Sequence, residues 1–429
     1  MAKDSFAASL LKGFMAKNNQ RRMINNVNRE NLNNRGIVNY RPSQIEAFFD
    51  SNDSIENIIV SGGTDILRAR AVVTQAICAY NQGFSVIVLH ENDTVLQNQF
   101  NIKFAHTGQL KIIDRNNPYY EPFLGLSNPE ISRMVIQSQE KNQEIHSQGR
   151  YYLDAMSEYI KSRGITPYCD MFINCPHYQI FDKISDAEMN GKISNAKASQ
   201  IKTMLMQGQA EQSNIEEYFY RLQHQAGYIL AKKSNLNNAT NILKSSQNGE
   251  VLMIDILSST NTLLLELLLQ DTENALTRGH KLLVIYNGIP LYSSENLMLF
   301  SKSNAANCKK VFSSEDVYSM LGGEENNFTT VVGNASKIIL YSHRSGLSCG
   351  KWADVFGQYD MRDITQTMAN GQTKKSIFDW APDTNVTSTL SVSTKREYIV
   401  KPEELNRMSQ NEAYIYDSNK NELSHTTVV

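Results

Sequence analysis

The stretch Ile58-Ile59-Val60-Ser61-Gly62-Gly63-Thr64-Asp65-Ile66-Leu67-Arg68-Ala69 decides how the rest of the chain is read. Ile58 to Val60 is a short apolar strand, and Gly62 with Gly63 supplies a turn. From there Ile66, Leu67, Ala69, Val72, Val73, Ala76, Ile77 and Tyr80 recur at helical spacing, and Gly83 suits a helix C-cap. Strand, glycine turn and helix in this order predict the opening unit of an α/β sheet.

Next in the chain, Ser85 to Leu89 (SVIVL) is apolar throughout after Ser85, as expected of a strand buried on both faces. A helix over Thr94 to Phe104 and a strand over Leu110 to Ile113 follow. This alternation predicts parallel strands joined by right-handed crossovers. From about Pro118 the pattern changes to polar helical segments near 129–163, 185–208 and 211–233. Strands return at Glu250 to Ile256, Lys281 to Tyr286, Asn307 to Phe312, Thr329 to Val332 and Lys337 to Tyr341, with a Leu-rich helix near 261–278. The Thr/Ser-rich tail from Gly371 closes on Pro402 to Arg407 and a strand-like Glu412 to Tyr416. The fold class expected is therefore α/β: a mostly parallel sheet flanked by helices, with a mainly helical insertion over 118–240 forming a separate lobe.

Residues 1–50 carry eight basic and four acidic residues, a local excess of +4. Phe6, Leu10, Leu11 and Phe14 recur at roughly helical spacing. Two readings stand: a short amphipathic helix for a partner or an anionic membrane surface, or a mobile basic tail. Over the whole 429 residues, 42 Lys+Arg face 44 Asp+Glu, a net charge of −2, which excludes a globally basic nucleic-acid binder. Hydrophobic residues at 41% suffice for a sizeable core and exclude a mostly disordered chain. Five widely spaced cysteines (Cys78, Cys169, Cys175, Cys308, Cys349) do not read as a disulfide framework. Cys169, Cys175 and His177 have a spacing that matches no common zinc pattern, so no metal is expected there. The apolar stretch Val251 to Leu269 is broken by Asp255 and Glu266, and no leader cleavage site is visible, so a cytoplasmic protein is expected.

The glycine turn invites a phosphate-loop reading, in which glycine amides surround phosphates at a helix N-terminus while Lys and Ser/Thr contact phosphate and Mg²⁺. With Gly62 as the first loop glycine, Leu67 replaces the second, Arg68 replaces Lys and Ala69 replaces Ser/Thr. Ala69 cannot ligate Mg²⁺, and Arg68 keeps charge without the compact ammonium geometry. Asp65 or Thr64 is expected to cap the helix and fill the space of a phosphate. The strand over Lys281 to Ile285 ends in Tyr286-Asn287-Gly288, without the carboxylate that positions metal or attacking water.

The ordered set of segments from about 55 to 417 resembles the coupling-protein ATPases of type IV secretion and bacterial conjugation, P-loop relatives of DNA-pumping motors. His90-Glu91-Asn92-Asp93 stands where that family turns after its second strand, and Tyr120-Glu121-Pro122-Phe123 stands at its Asn-Pro-Phe-like turn. Lys281 to Asn287 resembles the Walker B strand, and Val311-Phe312-Ser313-Ser314-Glu315-Asp316 resembles the sensor strand, with Ser314 in place of its Gln. Val317 to Gly322, Val331 to Asn334, Lys337 to Leu340, Trp352 to Gly357, Lys395 to Glu397, Val400 to Leu405 and Glu412-Ala413 keep the family's order.

The resemblance implies a RecA-like nucleotide-binding-type domain over 51–117 and 241–429, a helical insertion domain over 118–240 and a basic segment over 1–50. It also implies a vestigial nucleotide loop at Gly62, Gly63, Thr64, Arg68 and Ala69, with vestigial Walker B and sensor positions at Asn287 and Ser314. No catalytic residue, metal or cofactor is expected. The function implied is a pseudo-ATPase that binds a substrate protein, DNA or an ATPase subunit in a conjugation or secretion machine. It would work in the cytoplasm or peripherally at the inner face of the membrane, as a homo- or hetero-oligomer. The alternative is an active P-loop ATPase or DNA translocase with an atypical site, using ATP and Mg²⁺.

Overall fold

The computed structural model describes residues 2–49, 54–139, 145–258, 261–291, 307–373 and 383–429. The chain divides by contacts into two units: residues 1–42 with 342–427, and residues 43–341 with 428–429. No described helix is long and apolar enough to cross a membrane.

Helix α1 (Ala2–Arg35) and strand β1 (Ile37–Asn39) open the chain in the first unit. The second unit is built on strands β2 (Ile58–Ser61), β3 (Ser85–His90), β4 (Leu110–Ile113), β5 (Val251–Asp255), β6 (Leu282–Asn287), β7 (Cys308–Ser314) and β8 (Lys337–Tyr341). They are ordered β8-β2-β7-β6-β3-β5-β4, and every adjacent pair is parallel. β2, β3, β5 and β6 are buried at every position, which is why their sequences run almost continuously apolar instead of alternating. Helices α2 (Asp65–Asn81), α3 (Thr94–Phe104) and the Leu-rich α11 (Thr262–Thr277) connect these strands. Between β4 and β5 lie α4 (Asn128–Gln137), α5 (Gly149–Ser162), α6 (Cys169–Ile173), α7 (Ile180–Met189), α8 (Asn195–Gly208), α9 (Gln212–Ala226) and α10 (Ile242–Asn248). By contacts these helices, which fill most of the 118–240 segment, lie in one unit with the sheet.

One strand expectation is overturned. Thr329 to Val332 lies in a helix, Glu325–Gly333, which buries Asn327, Phe328 and Val331 on one face. Its β-branched run favours a strand locally, but burial of the i, i+3, i+4 face wins.

In the first unit, β11 (Glu412–Asp417) and β12 (Glu422–Thr427) are antiparallel, and β1 pairs parallel with β12. Helix Gly346–Phe356 packs Trp352, which is fully buried. β9 (Gln358–Thr373) and β10 (Asp383–Tyr398) form a long antiparallel ribbon that runs into the Thr/Ser-rich stretch after Gly371. Of the two readings of the N-terminal segment, a helix and not a tail is present, and α1 runs on to Arg35. Arg35 bonds the Glu404 carboxylate and the Ile399 carbonyl, Glu30 pairs with Arg362, and Asn31 exchanges hydrogen bonds with the Arg362 backbone. The side chains of Phe6, Leu10, Leu11 and Phe14 lie outside the described set.

Candidate nucleotide-loop site

In a parallel sheet, ligands are taken at the carboxyl ends of the strands. Registers Ser61↔Ser314, His90↔Asn287 and Asn287↔Ser313 bring the ends of β2, β7, β6 and β3 side by side. The Gly62 amide donates to the Ser314 carbonyl at 3.1 Å, and the Gly288 amide to the Ser313 carbonyl at 2.8 Å. The loop after β2 and the turns after β6 and β7 therefore form one surface.

Gly62 and Gly63 take φ of +84° and +67°, the left-handed region that a side chain resists. At Gly63 an added Cβ would also meet the Tyr341 Cβ at 2.7 Å. Gly63→Ala should cost about 2 kcal/mol, combining the backbone penalty with overpacking against Tyr341. An unchanged melting temperature for this variant would show that the turn relaxes freely.

Thr64 is the residue that caps α2. Its backbone is extended (φ −91°, ψ 155°), and its hydroxyl accepts a long bond from the Leu67 amide at 3.4 Å. Asp65 is the first helical residue instead, and its carboxylate reaches sideways to the Arg68 guanidinium. The same guanidinium donates to the carbonyls of Gly62 at 3.0 Å and Gly63 at 2.8 Å. Arg68 is thus folded back beneath the loop, with only 10% of its side chain exposed. Ala69 is buried in the helix.

Asp65, Arg68, Asn287 and Ser314 share a cleft of about 350 Å³ with Glu91, Asp93 and Glu315. Gly62, Gly63, Thr64 and Ala69 are not among the residues lining it. Four carboxylates therefore face one guanidinium, and that guanidinium is already hydrogen-bonded. The Asn287 amide donates to Asp93 Oδ2 at 2.8 Å, while Asp93 Oδ1 caps α3 through the Leu96 amide at 2.8 Å. The nearby strand-end carboxylate, Asp255 on β5, accepts from the Asn92 and Leu257 amides. His90 is buried, and burial lowers its pKa from the ordinary histidine value; its Nδ1 accepts from the Asp93 amide at 3.3 Å. A polyphosphate entering this cleft would meet like charge, with no free cation among the described residues that line it, and each uncompensated charge in a partly desolvated site is costly. Glu91, Asp93, Glu315 and Tyr341 were not singled out as site residues from sequence. The signal available was their position at the strand ends: Glu91 and Glu315 directly follow β3 and β7, Asp93 lies three residues past β3, and Tyr341 is the last residue of β8.

The Cys169 amide donates to the Glu121 carboxylate, and the Tyr152 hydroxyl and His177 Nδ1 are 3.1 Å apart. Among the described residues no group of three or more His, Cys, Asp or Glu is arranged to hold a metal.

No family model matches the sequence, and no curated protein matches it significantly. The fold nevertheless defines a class: it is the RecA-like fold of the bacterial conjugative coupling proteins. One solved protein that this chain is similar to is the plasmid coupling protein TrwB, at 12% sequence identity in each of three solved forms. Its trigonal form in complex with sulphate superposes with a TM-score of 0.53 over 91% of this chain and 89% of that one. Its complex with ADP and Mg²⁺ gives 0.52 over 91% and 88%. Its complex with the non-hydrolysable GTP analogue GDPNP gives 0.53 over 87% and 85%.

Proposed function

We propose that this chain is a non-hydrolysing, coupling-protein-like component of a conjugation or type IV secretion machine. It acts by binding a substrate protein, DNA or a partner ATPase, and not by turning over ATP. The observation that carries the reading is the position of Arg68. The residue standing where a phosphate-binding Lys would stand is engaged by the loop's own carbonyls and by Asp65. TrwB was solved with ADP and Mg²⁺. In this chain the strand-end cleft is acid-lined, with Asn287 at the end of β6 in place of a carboxylate, and buried Ala69 supplies no hydroxyl for Mg²⁺.

Titration calorimetry with Mg-ATP should give no saturable heat. Losing several charge-assisted contacts, at roughly 1.5–3 kcal/mol each, removes orders of magnitude in affinity. Micromolar binding would refute the reading. Steady ATP turnover, lost in a folded Arg68→Ala variant, would establish the active-ATPase alternative.

A further inference from the structure

A second hollow, of about 250 Å³, lies among α5, α6 and α7 in the helical segment. Met156, Ile160 and Ile180 line it with buried apolar side chains, and Tyr159 and Met171 add to its walls. Arg163 and Lys183 also line it, and neither side chain has a carboxylate partner among the described residues. The Arg163 guanidinium lies over the Tyr159 ring, 5.9 Å from its centroid, which orients it without neutralising it. Among the described residues lining the hollow Asp170 is the one carboxylate, and its Oδ1 accepts from the Asn174 side-chain amide at 2.8 Å. Counting the lining residues alone, two cations stand against one engaged carboxylate, and Glu216 acts on Cys175 from behind the wall. The Cys175 thiol, pushed up to about 11 by burial, adds no charge near neutrality.

Apolar walls with a few convergent polar groups are the usual make-up of a small-molecule site, and this hollow falls below the usual size range of such sites, roughly 300–1,000 Å³. That size suits a ring with a short chain. We propose that it binds a small carboxylate with an aryl or alkyl body, the body against Met156, Ile160 and Ile180 and the carboxylate at Arg163 and Lys183. A guanidinium pairs a carboxylate through two parallel bonds, and the lysine adds a second point charge. This site is independent of the loop after β2, so its fate does not depend on the nucleotide reading.

The test uses the full chain and ligand-observed NMR with two probes of equal shape, 3-phenylpropanoate and its neutral amide. The carboxylate should bind with a dissociation constant of about 1 mM or below, and the amide about tenfold more weakly. Arg163→Gln combined with Lys183→Gln should erase that difference while the melting temperature holds. Met171→Trp, filling the hollow, should remove binding of both probes. N-acetylphenylalanine separates two sources of the same chemistry: tighter binding than 3-phenylpropanoate assigns the site to a chain terminus, and weaker binding assigns it to a free acid. Equal binding of acid and amide, acid binding untouched by the double Gln variant, or no saturation by about 10 mM would overturn the proposal.

Discussion

Arg68→Ala should lower the stability of the sheet unit by about 3 kcal/mol and leave Mg-ATP binding as it was. The guanidinium makes three charge-assisted contacts, to two loop carbonyls and to Asp65, in a setting where the side chain is only 10% exposed. Hydrogen bonds to charged groups are worth roughly 1.5–3 kcal/mol each but are not additive, and the truncation also leaves carbonyls of a strained turn without their donor. Arg68→Lys should recover part of the loss, because an ammonium can reach one carbonyl but cannot span both and Asp65. Urea denaturation of the three proteins reads this directly. A variant as stable as wild type would show that the guanidinium does not hold the loop, and would reopen the site to an incoming anion.

The second large effect is on pH dependence. Glu121 and Asp271 are buried carboxyls, both bonded to backbone amides and neither paired with a cation among the described residues. Burial pushes Glu121 up to about 8 and Asp271 up to about 7. Both groups therefore hold protons in the folded chain that the unfolded chain has already released. The stability they contribute is complete below about pH 4 and is lost as pH rises through 7 to 8. For Asp271 alone the loss is on the order of 4 kcal/mol. Urea midpoints should be higher at pH 5 than at pH 9, and Asp271→Asn should flatten the slope by removing one of the two titrations. A wild-type midpoint that stays level or rises across that range is the contrary result.

The parallel sheet could be read from sequence because its strands are buried on both faces, so Ile58 to Val60, Val86 to Leu89 and Leu282 to Ile285 stand out as apolar runs. The ribbon of β9 and β10 left no such mark. Its described residues 391–396 are exposed throughout, so no core imposes an apolar alternation on them. The full length of α1 was hidden for a related reason: from residue 18 on, most of its positions face solvent, and that part is held by polar contacts to residues more than 300 positions away. At the loop, the absence of Lys, Ser/Thr and the strand-end carboxylate was plain from residue identity. The use made of Arg68 was not, since a guanidinium can face outward to a phosphate or inward to its own turn, and only the positions of the Gly62 and Gly63 carbonyls decide between them. Asp65 was expected to share capping with Thr64, a one-residue ambiguity of the kind that helix starts commonly carry.

The strand order also bears on how the chain is made. β2 is flanked by β7 and β8, so Ile58 finds its partners only at Val311 and Lys337. On a ribosome, at about 5–20 residues per second, both edges of that apolar strand wait roughly 10–50 s for their neighbours to be synthesised. β5 likewise must enter between β3 and β4 after the whole helical segment has emerged. A nascent chain of this design carries open, sticky edges for most of its synthesis, and its folding is dominated by late, distant pairings. The C-terminal half thus acts as the closing clamp for the N-terminal strands, and truncation between β6 and β8 should give aggregate rather than a smaller soluble sheet.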